Sequence, residues 1–348
     1  MKISKLLAPA FALTLLFNIS CRTEDPVVEV PKGAYDQGIL ITNEGGFSTP
    51  TASVTFLTKD LSKQENNIYS ANNSGEKLGN VFQSVGFKGD LAYLVMNVPN
   101  KVEIVNRYSF KKTGSITSNL SSPRYIAFTG TNTYITNNDF FNVRKLNIYD
   151  NGNNFIKSID FDRYAEKITA VKGFIYVQTD GTTYDADYNE LPTGHTITRI
   201  NGTTNTVDQT ITLNDKLIIR DMISDGNFVY VLTSDEKESN MYRISATSGL
   251  QQRIPLTGAP GAQKLALDGN KLYFLTASNK VFNFNADAAM ELMKVTADYA
   301  YGFNVIDGQV YVSDPSFSSS SKVRIYNMNG DLLKTMTTGI GTNGFYKN

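Results

Sequence analysis

Gly226-Asn-Phe-Val-Tyr230-Val, Gly269-Asn-Lys-Leu-Tyr273-Phe and Gly308-Gln-Val-Tyr311-Val are copies of one unit, a glycine turn followed by an alternating strand with a tyrosine at its centre. Upstream, Asp90-Leu-Ala-Tyr93-Leu-Val, Asn132-Thr-Tyr134-Ile-Thr and Gly173-Phe-Ile-Tyr176-Val repeat it, and Gly38-Ile-Leu-Ile-Thr42 is a seventh copy without the tyrosine. The copies recur at roughly 40 to 50 residues, the period of a four-stranded propeller blade. A second alternating strand follows, as in Lys101-Val-Glu-Ile-Val105 and Val323-Arg-Ile-Tyr326. A shorter one precedes, as in Tyr125-Ile-Ala-Phe128 and Lys264-Leu-Ala-Leu267, and is expected to be the innermost of its blade.

The first copy opens directly on its second strand. The chain ends in Asn343-Gly-Phe-Tyr346, which resembles Gly302-Phe-Asn-Val305 but has no partner strand after it. The C-terminal strand is therefore expected to complete the first blade and remove the open edge of the ring. The fold class expected is all-β, a seven-bladed β-propeller of four-stranded blades over residues 38–348. Two separate β-sandwiches would need a mid-chain linker, and the steady period offers none. All six tyrosines read as core packing between blades. Asp225-Gly226-Asn227, Asp268-Gly269-Asn270 and Asp307-Gly308 read as turns, where Gly and Asn tolerate positive φ.

With 348 residues and 41% hydrophobic content the chain can bury a large core. Lys+Arg 33 balance Asp+Glu 33 without a basic block, which argues against nucleic-acid binding. A single His and a single Cys exclude a zinc cage, a Cys/His nucleophile pair and a disulfide. No Gly-x-Ser-x-Gly elbow, suitably spaced pair of catalytic carboxylates or phosphate loop appears, so no enzyme is expected and no catalytic or metal residue is named. Gly339-Ile-Gly341-Thr-Asn-Gly344 fits the dinucleotide fingerprint, but neither a helix nor an acidic residue follows it. It reads as a coincidence of glycine turns.

Lys2 and Lys5 precede an apolar stretch from Leu6 to Ile19, too short to span a bilayer and placed where a secretory signal peptide belongs. It ends at Asn18-Ile19-Ser20-Cys21, which resembles a bacterial lipobox, with Asn18 in place of the usual Leu. Residues 1–20 are thus expected to be a lipoprotein signal peptide, Cys21 the lipidated N-terminus, and 21–37 a tether. The following Arg22-Thr23-Glu24-Asp25 resembles the export signals that send lipoproteins to the outer face of the outer membrane. Removing Lys2 and Lys5 leaves a slight acidic excess, so anchoring to the membrane would come from acyl chains.

The loops joining second to third strands share one propeller face with the connections between blades, and that face is the default ligand site. Several of these loops carry aromatic residues: Phe47, the pair Phe140 and Phe141, Tyr184 and Tyr188, and Phe317. Flat apolar side chains fringed by Asn, Ser and Thr suit a large amphipathic ligand or a protein partner. The alternative for each aromatic is that it folds back to cap its own blade. Asp185-Ala-Asp187-Tyr-Asn189 opens like a calcium loop, but Glu190 replaces the turn glycine and Thr196 the closing Glu, so solvated carboxylates are the better reading. His195, at the end of the same loop, reads as an exposed loop histidine.

Asn43-Glu44-Gly45-Gly46-Phe47, Ala52-Ser-Val-Thr-Phe56, Gly79-Asn-Val-Phe-Gln-Ser84, Asn100-Lys-Val-Glu-Ile104 and Ser122-Pro-Arg-Tyr-Ile126 together resemble the YncE-like seven-bladed surface lipoproteins of Bacteroidota. The resemblance spans the mature chain and is densest over 38–130. It is similar to the surface cobalamin-binding lipoproteins, which capture corrinoids and partner TonB-dependent outer-membrane transporters. The resemblance implies ligand capture and handover, with a corrinoid as transported ligand and no bound cofactor. The chain departs from these relatives in lacking Trp and in its second and third blade loops. A glycan-binding or protein-interaction propeller is the alternative, and a propeller hydrolase or lactonase a third reading.

Overall fold

The computed structural model describes residues 31–348 except 180, 181, 185, 188, 189, 193–195 and 215, with backbone alone over 182–184 and 190–192. The signal segment, Cys21, Tyr188 and His195 lie outside the described residues. Gly33–Asn348 forms one compact unit.

Blade 1 contains β1 (Gly38–Asn43), β2 (Ser53–Thr58) and β3 (Gln64–Glu65), and a single turn of helix, α1 (Ile68–Asn72), follows it. Blade 2 runs through β4 (Val81–Lys88), β5 (Leu91–Val98), β6 (Lys101–Asn106) and β7 (Lys112–Ile116). Blade 3 is β8 (Pro123–Phe128), β9 (Thr133–Asn138), β10 (Arg144–Tyr149) and β11 (Phe155–Asp160). Blade 4 begins with β12 (Ile168–Val171) and β13 (Phe174–Gln178), then inserts a two-stranded hairpin, β14 (Thr182–Tyr184) and β15 (Glu190–Pro192), before β16 (Thr196–Asn201) and β17 (Thr206–Thr212). Blade 5 is β18 (Ile218–Ser224), β19 (Phe228–Ser234), β20 (Ser239–Ser245) and β21 (Gln251–Pro255). Blade 6 is β22 (Ala262–Asp268), β23 (Lys271–Thr276), β24 (Lys280–Asn285) and β25 (Ala288–Lys294). Blade 7 is β26 (Phe303–Ile306), β27 (Gln309–Asp314), β28 (Lys322–Asn327) and β29 (Leu332–Thr337).

The last strand, β30 (Thr342–Lys347), pairs antiparallel with β1 and becomes the innermost strand of blade 1, as the repeat phase predicts. Ile41 faces Phe345 and Leu40 faces Tyr346 across the seam. Asn43 pins this closure. Its Nδ2 donates to Ser53 Oγ at 3.1 Å and Thr55 Oγ1 at 3.3 Å, while its Oδ1 accepts from the Gly339 amide at 3.1 Å and Thr342 Oγ1 at 2.6 Å. A buried amide with both ends bonded is stabilising only while its partners stay in register.

The repeated tyrosines lie on the second strands, and all but Tyr230 are fully buried. Tyr134 spans two blades: its hydroxyl donates to Gly202 O at 3.1 Å and Asn205 Oδ1 at 2.6 Å, in the β16–β17 turn. Tyr176 repeats the device one blade on, donating to Ala246 O at 3.0 Å. Ring and hydroxyl thus fix the spacing between neighbouring blades, the former by apolar contact and the latter by direction. Tyr230 is half-buried and packs against the cluster between blades 5 and 6, but its hydroxyl bonds Asp225 Oδ2 of its own hairpin at 3.0 Å. The turn glycines follow expectation, with Gly226 at φ 92 and Gly269 at φ 59.

Tyr134→Phe keeps the ring but takes the donor from the buried Gly202 carbonyl, while Asn205 Oδ1 keeps its bond from Asn132, so a loss of about 1–2 kcal/mol in urea unfolding is expected. Tyr230→Phe, whose acceptor reaches solvent, is expected to lose less; equal losses would show that the inter-blade bonds contribute nothing special.

Candidate functional site

In each four-stranded meander the second-to-third turns and the connections between blades fall on one face. The innermost strands start from that face, so their first residues surround the mouth of the central channel. Five of the innermost strands carry a β-bulge there, with one extra residue at Gln83, within Arg124-Tyr125, at Arg220, at Gln263 and at Asn343. A bulge sets two residues against one and re-aims a side chain. Adjacent polar residues therefore replace the usual alternation: Gln83-Ser84, Arg124-Tyr125, Arg220-Asp221 and Gln263-Lys264. In blades 4 and 7, Glu166-Lys167 and Tyr301 stand just ahead of β12 and β26.

These side chains interlock. Arg124 donates through Nε to Glu166 Oε2 at 3.1 Å and through Nη1 to Gln83 Oε1 at 2.7 Å. Lys167 Nζ pairs with Asp221 Oδ1 at 2.9 Å, and Asp221 Oδ2 accepts the Leu265 amide at 2.9 Å. Glu44 enters from the β1–β2 loop, and its Oε1 accepts from the Tyr301 hydroxyl at 2.7 Å and Asn343 Nδ2 at 3.2 Å. Four cations, Arg124, Lys167, Arg220 and Lys264, thus meet three carboxylates, Glu44, Glu166 and Asp221. Glu236 adds a fourth carboxylate on the same face.

Burial pushes the Glu44 carboxyl above the ordinary 4.5, and the bonds from Tyr301 and Asn343 offset only part of this. Asp221 feels burial in the same sense, but Lys167 and Lys264 outweigh it and hold the carboxyl below its ordinary value. Lys264 is the exception among the cations. Burial, reinforced by Lys167, holds its ammonium below 10.5, and neither a hydrogen bond nor an ion pair within 4 Å joins it to a described residue. Its Nζ lies 5.5 Å from the Tyr301 ring centroid.

The sequence-predicted aromatics divide into two groups. Phe140, 38% exposed, packs edge-on against Tyr164 at 5.7 Å with the Arg124 guanidinium 5.1 Å from its ring, so it borders the mouth. Phe317 packs edge-on against Tyr301 at 5.7 Å and lies over Gly341, where a Cβ would meet the ring at 3.2 Å. That contact, with Gly341 at φ 64, gives the glycine-rich C-terminal stretch its structural role. Phe47 and Phe141 are 77% and 76% exposed and point to solvent. Tyr184 ends β14 in the inserted hairpin, and only its backbone is described. Asp187 is exposed, while Asp185 and Asn189 lie outside the described residues. Among the described residues no group of three or more His, Cys, Asp or Glu is placed to hold a metal ion.

Loop aromatics alone did not reveal Arg124, Tyr125, Lys167, Arg220, Lys264, Tyr299 and Tyr301. A signal for most of them exists, the polar doublet at the start of the innermost strand in blades 2 to 6. Two recesses open on the same face. One, about 460 Å³, lies between blades 5 and 6 and is lined by Arg220, Glu236, Gln263, Lys264 and Tyr299 among others. The other, about 410 Å³, lies at blade 1 and is lined by hydroxyl and amide groups of Thr51, Ser53, Thr55, Asn66 and Asn67, with Lys77.

Fold and mouth together define a closed seven-bladed propeller with a polar, charged channel entrance. Residues 37–299 match the family described as Domain of unknown function (DUF5074), and the chain belongs to it. No curated protein matches by sequence. Among solved structures, the chain is similar to a quinonprotein alcohol dehydrogenase-like protein from Bacteroides thetaiotaomicron, at 11% identity and TM-score 0.69, covering 90% of this chain and 78% of that one. It is also similar to a candidate 6-phosphogluconolactonase from Bacteroides fragilis, at 12% identity and TM-score 0.63, covering 90% and 99%. Hydrazine synthase from Kuenenia stuttgartiensis shares 14% identity at TM-score 0.57, covering 74% and 86%. At such identities the likeness is one of fold.

The raised Glu44 carboxyl makes a pH prediction. Its stabilising proton is bound in full below about 4.5 and is lost as pH rises through the higher folded value. Glu44→Gln removes that loss, so the variant is expected to gain stability relative to the native chain between pH 4.5 and about 7. Urea midpoints across that range measure it, and a pH-independent difference would contradict the assignment.

Proposed function

We propose that this chain is a non-catalytic ligand-capturing propeller, tethered to the outer membrane through an acylated Cys21, whose ligand sits across the channel mouth and passes to a TonB-dependent transporter. A corrinoid is the ligand that the sequence resemblance implies. The observation that carries the reading is the mouth itself, where aromatic faces at Phe140, Tyr125, Tyr301 and Phe317 adjoin a ring of charged and amide groups. A corrin macrocycle is broad and flat, fringed with amides, and commonly carries one phosphodiester. Aromatic faces suit the first feature, Gln83 and Asn343 amides the second, and the cations the third.

The ring's charges serve binding better than chemistry. Arg124 and Lys167 are each bonded to a carboxylate, a state that orients them for recognition and leaves Glu166 and Asp221 with little capacity as general bases. A glycan reading has its own support in the hydroxyl- and amide-lined recess at blade 1, which matches sugar hydroxyls.

Calorimetric titration of cyanocobalamin into the chain lacking residues 1–21, which retains the whole compact unit, tests the reading. Saturable one-to-one binding tighter than micromolar, worth more than about 8 kcal/mol, is expected. Phe140→Ala with Phe141→Ala is expected to weaken it at least about tenfold. Absence of binding heat at several temperatures would reject a corrinoid ligand, and titration with oligosaccharides would follow. Separately, Cys21→Ser is expected to move the exported protein from the membrane fraction to the soluble one; retention with the membrane would refute the acyl anchor.

A further inference from the structure

The recess between blades 5 and 6 is distinct from the Phe140 rim and is built differently. Its volume of about 460 Å³ accommodates a small organic molecule. Both strands that frame it, β18 and β22, bulge at this point, so Arg220 and Gln263 are extra residues inserted into their ladders. The Arg220 guanidinium is held by Nε donation to Ser234 Oγ at 3.2 Å, which fixes the fork's orientation. On the opposite wall Tyr299, 61% exposed, presents an open ring braced at 5.8 Å by Tyr301.

The decisive group is Lys264. Three carboxylates of the mouth are engaged elsewhere, Asp221 with Lys167 and the Leu265 amide, Glu166 with Arg124, and Glu44 with Tyr301 and Asn343. Lys264 is left half-buried with three N–H donors and no bonded acceptor among the described residues, and its contact with the Tyr301 ring lies near the outer limit of cation–π range. A poorly solvated ammonium without a partner is costly to keep. An oxyanion entering the recess would supply the missing acceptor, with the Arg220 guanidinium lining the same recess. Glu236, the carboxylate lining the recess, stands exposed and would oppose ligands carrying a second anionic group.

We propose that this recess is a second binding site, for a small ring compound bearing one oxyanion, a phosphate ester or a carboxylate, whose charge is taken by Lys264 and Arg220 while its ring lies against Tyr299. The recess shares Lys264 and Arg220 with the channel mouth, but it lies away from Phe140 and its ligand is tested separately from a corrinoid.

The test titrates the chain lacking residues 1–21 with phenyl phosphate, benzoate and benzyl alcohol, by calorimetry or ligand-observed NMR. Both anions are expected to saturate one site and the neutral alcohol to show no binding. The tighter of the two anions identifies the phosphate or the carboxylate source. Lys264→Met is expected to weaken binding at least about tenfold and Lys264→Arg to retain most of it. Tyr299→Ala is expected to weaken phenyl phosphate while leaving inorganic phosphate unchanged. The Phe140→Ala, Phe141→Ala variant is expected to bind phenyl phosphate as the native chain does, whatever its effect on cyanocobalamin. Two results overturn the proposal: no saturable binding of either anion, or undiminished binding by both Lys264→Met and Arg220→Met in variants whose thermal unfolding shows them folded.

Discussion

Pairing of the last strand with the first is the interaction on which everything else in this molecule depends. Thr342–Lys347 lies beside Gly38–Asn43, so blade 1 is made from both ends of the described propeller and the ring has no free edge at the seam. Closure then relies on a small set of buried polar groups. Asn43 joins the first strand to the second and to the last, and Glu44 beside it accepts from Tyr301 of the neighbouring blade as well as from Asn343. The Asn-Glu-Gly stretch is thus both clasp and channel lining. Gly45, at φ 89, makes it possible, because a Cβ there would meet the Ala52 amide at 2.4 Å.

Once the ring is closed, the start of every innermost strand is brought to one opening, and the recurrent bulge decides what occupies it. An unbroken alternating strand would aim only every second side chain the same way. With one residue inserted, two polar neighbours stand together at the start of the strand. The resulting charges are individually modest, since a half-buried pair gains less than bare Coulomb attraction implies once desolvation is counted. Collectively they concentrate charge of both signs at one entrance of a protein that is neutral as a whole.

The same geometry explains why the loop aromatics are unequal. Phe140 and Phe317 are drawn against Arg124 and Tyr301 because their loops turn back over the mouth, whereas Phe47 and Phe141 extend from theirs into solvent. Residues of the same type in loops of equivalent position therefore have different roles. Tyr230 makes a parallel point among the repeated tyrosines: its hydroxyl finds Asp225 in its own turn, and the ring stays partly open where the other five are enclosed.

The sequence by itself determined the architecture: the number of blades, the order of strands, the turns and the closing strand. Strand alternation, glycine turns and a fixed period are local properties, and each repeat states them again, so errors at one copy are corrected by the others. It also carried a mark of the site, in the polar doublets at Gln83, Arg124, Arg220 and Gln263, though not their meaning. Only the tertiary structure decided that these doublets converge with Lys167, Glu44 and Tyr301, and that Lys264 finds no bonded acceptor among the described residues. Those facts depend on distances between residues some 40 to 260 positions apart in the chain, and no local pattern encodes a distance that exists only once the ring has closed.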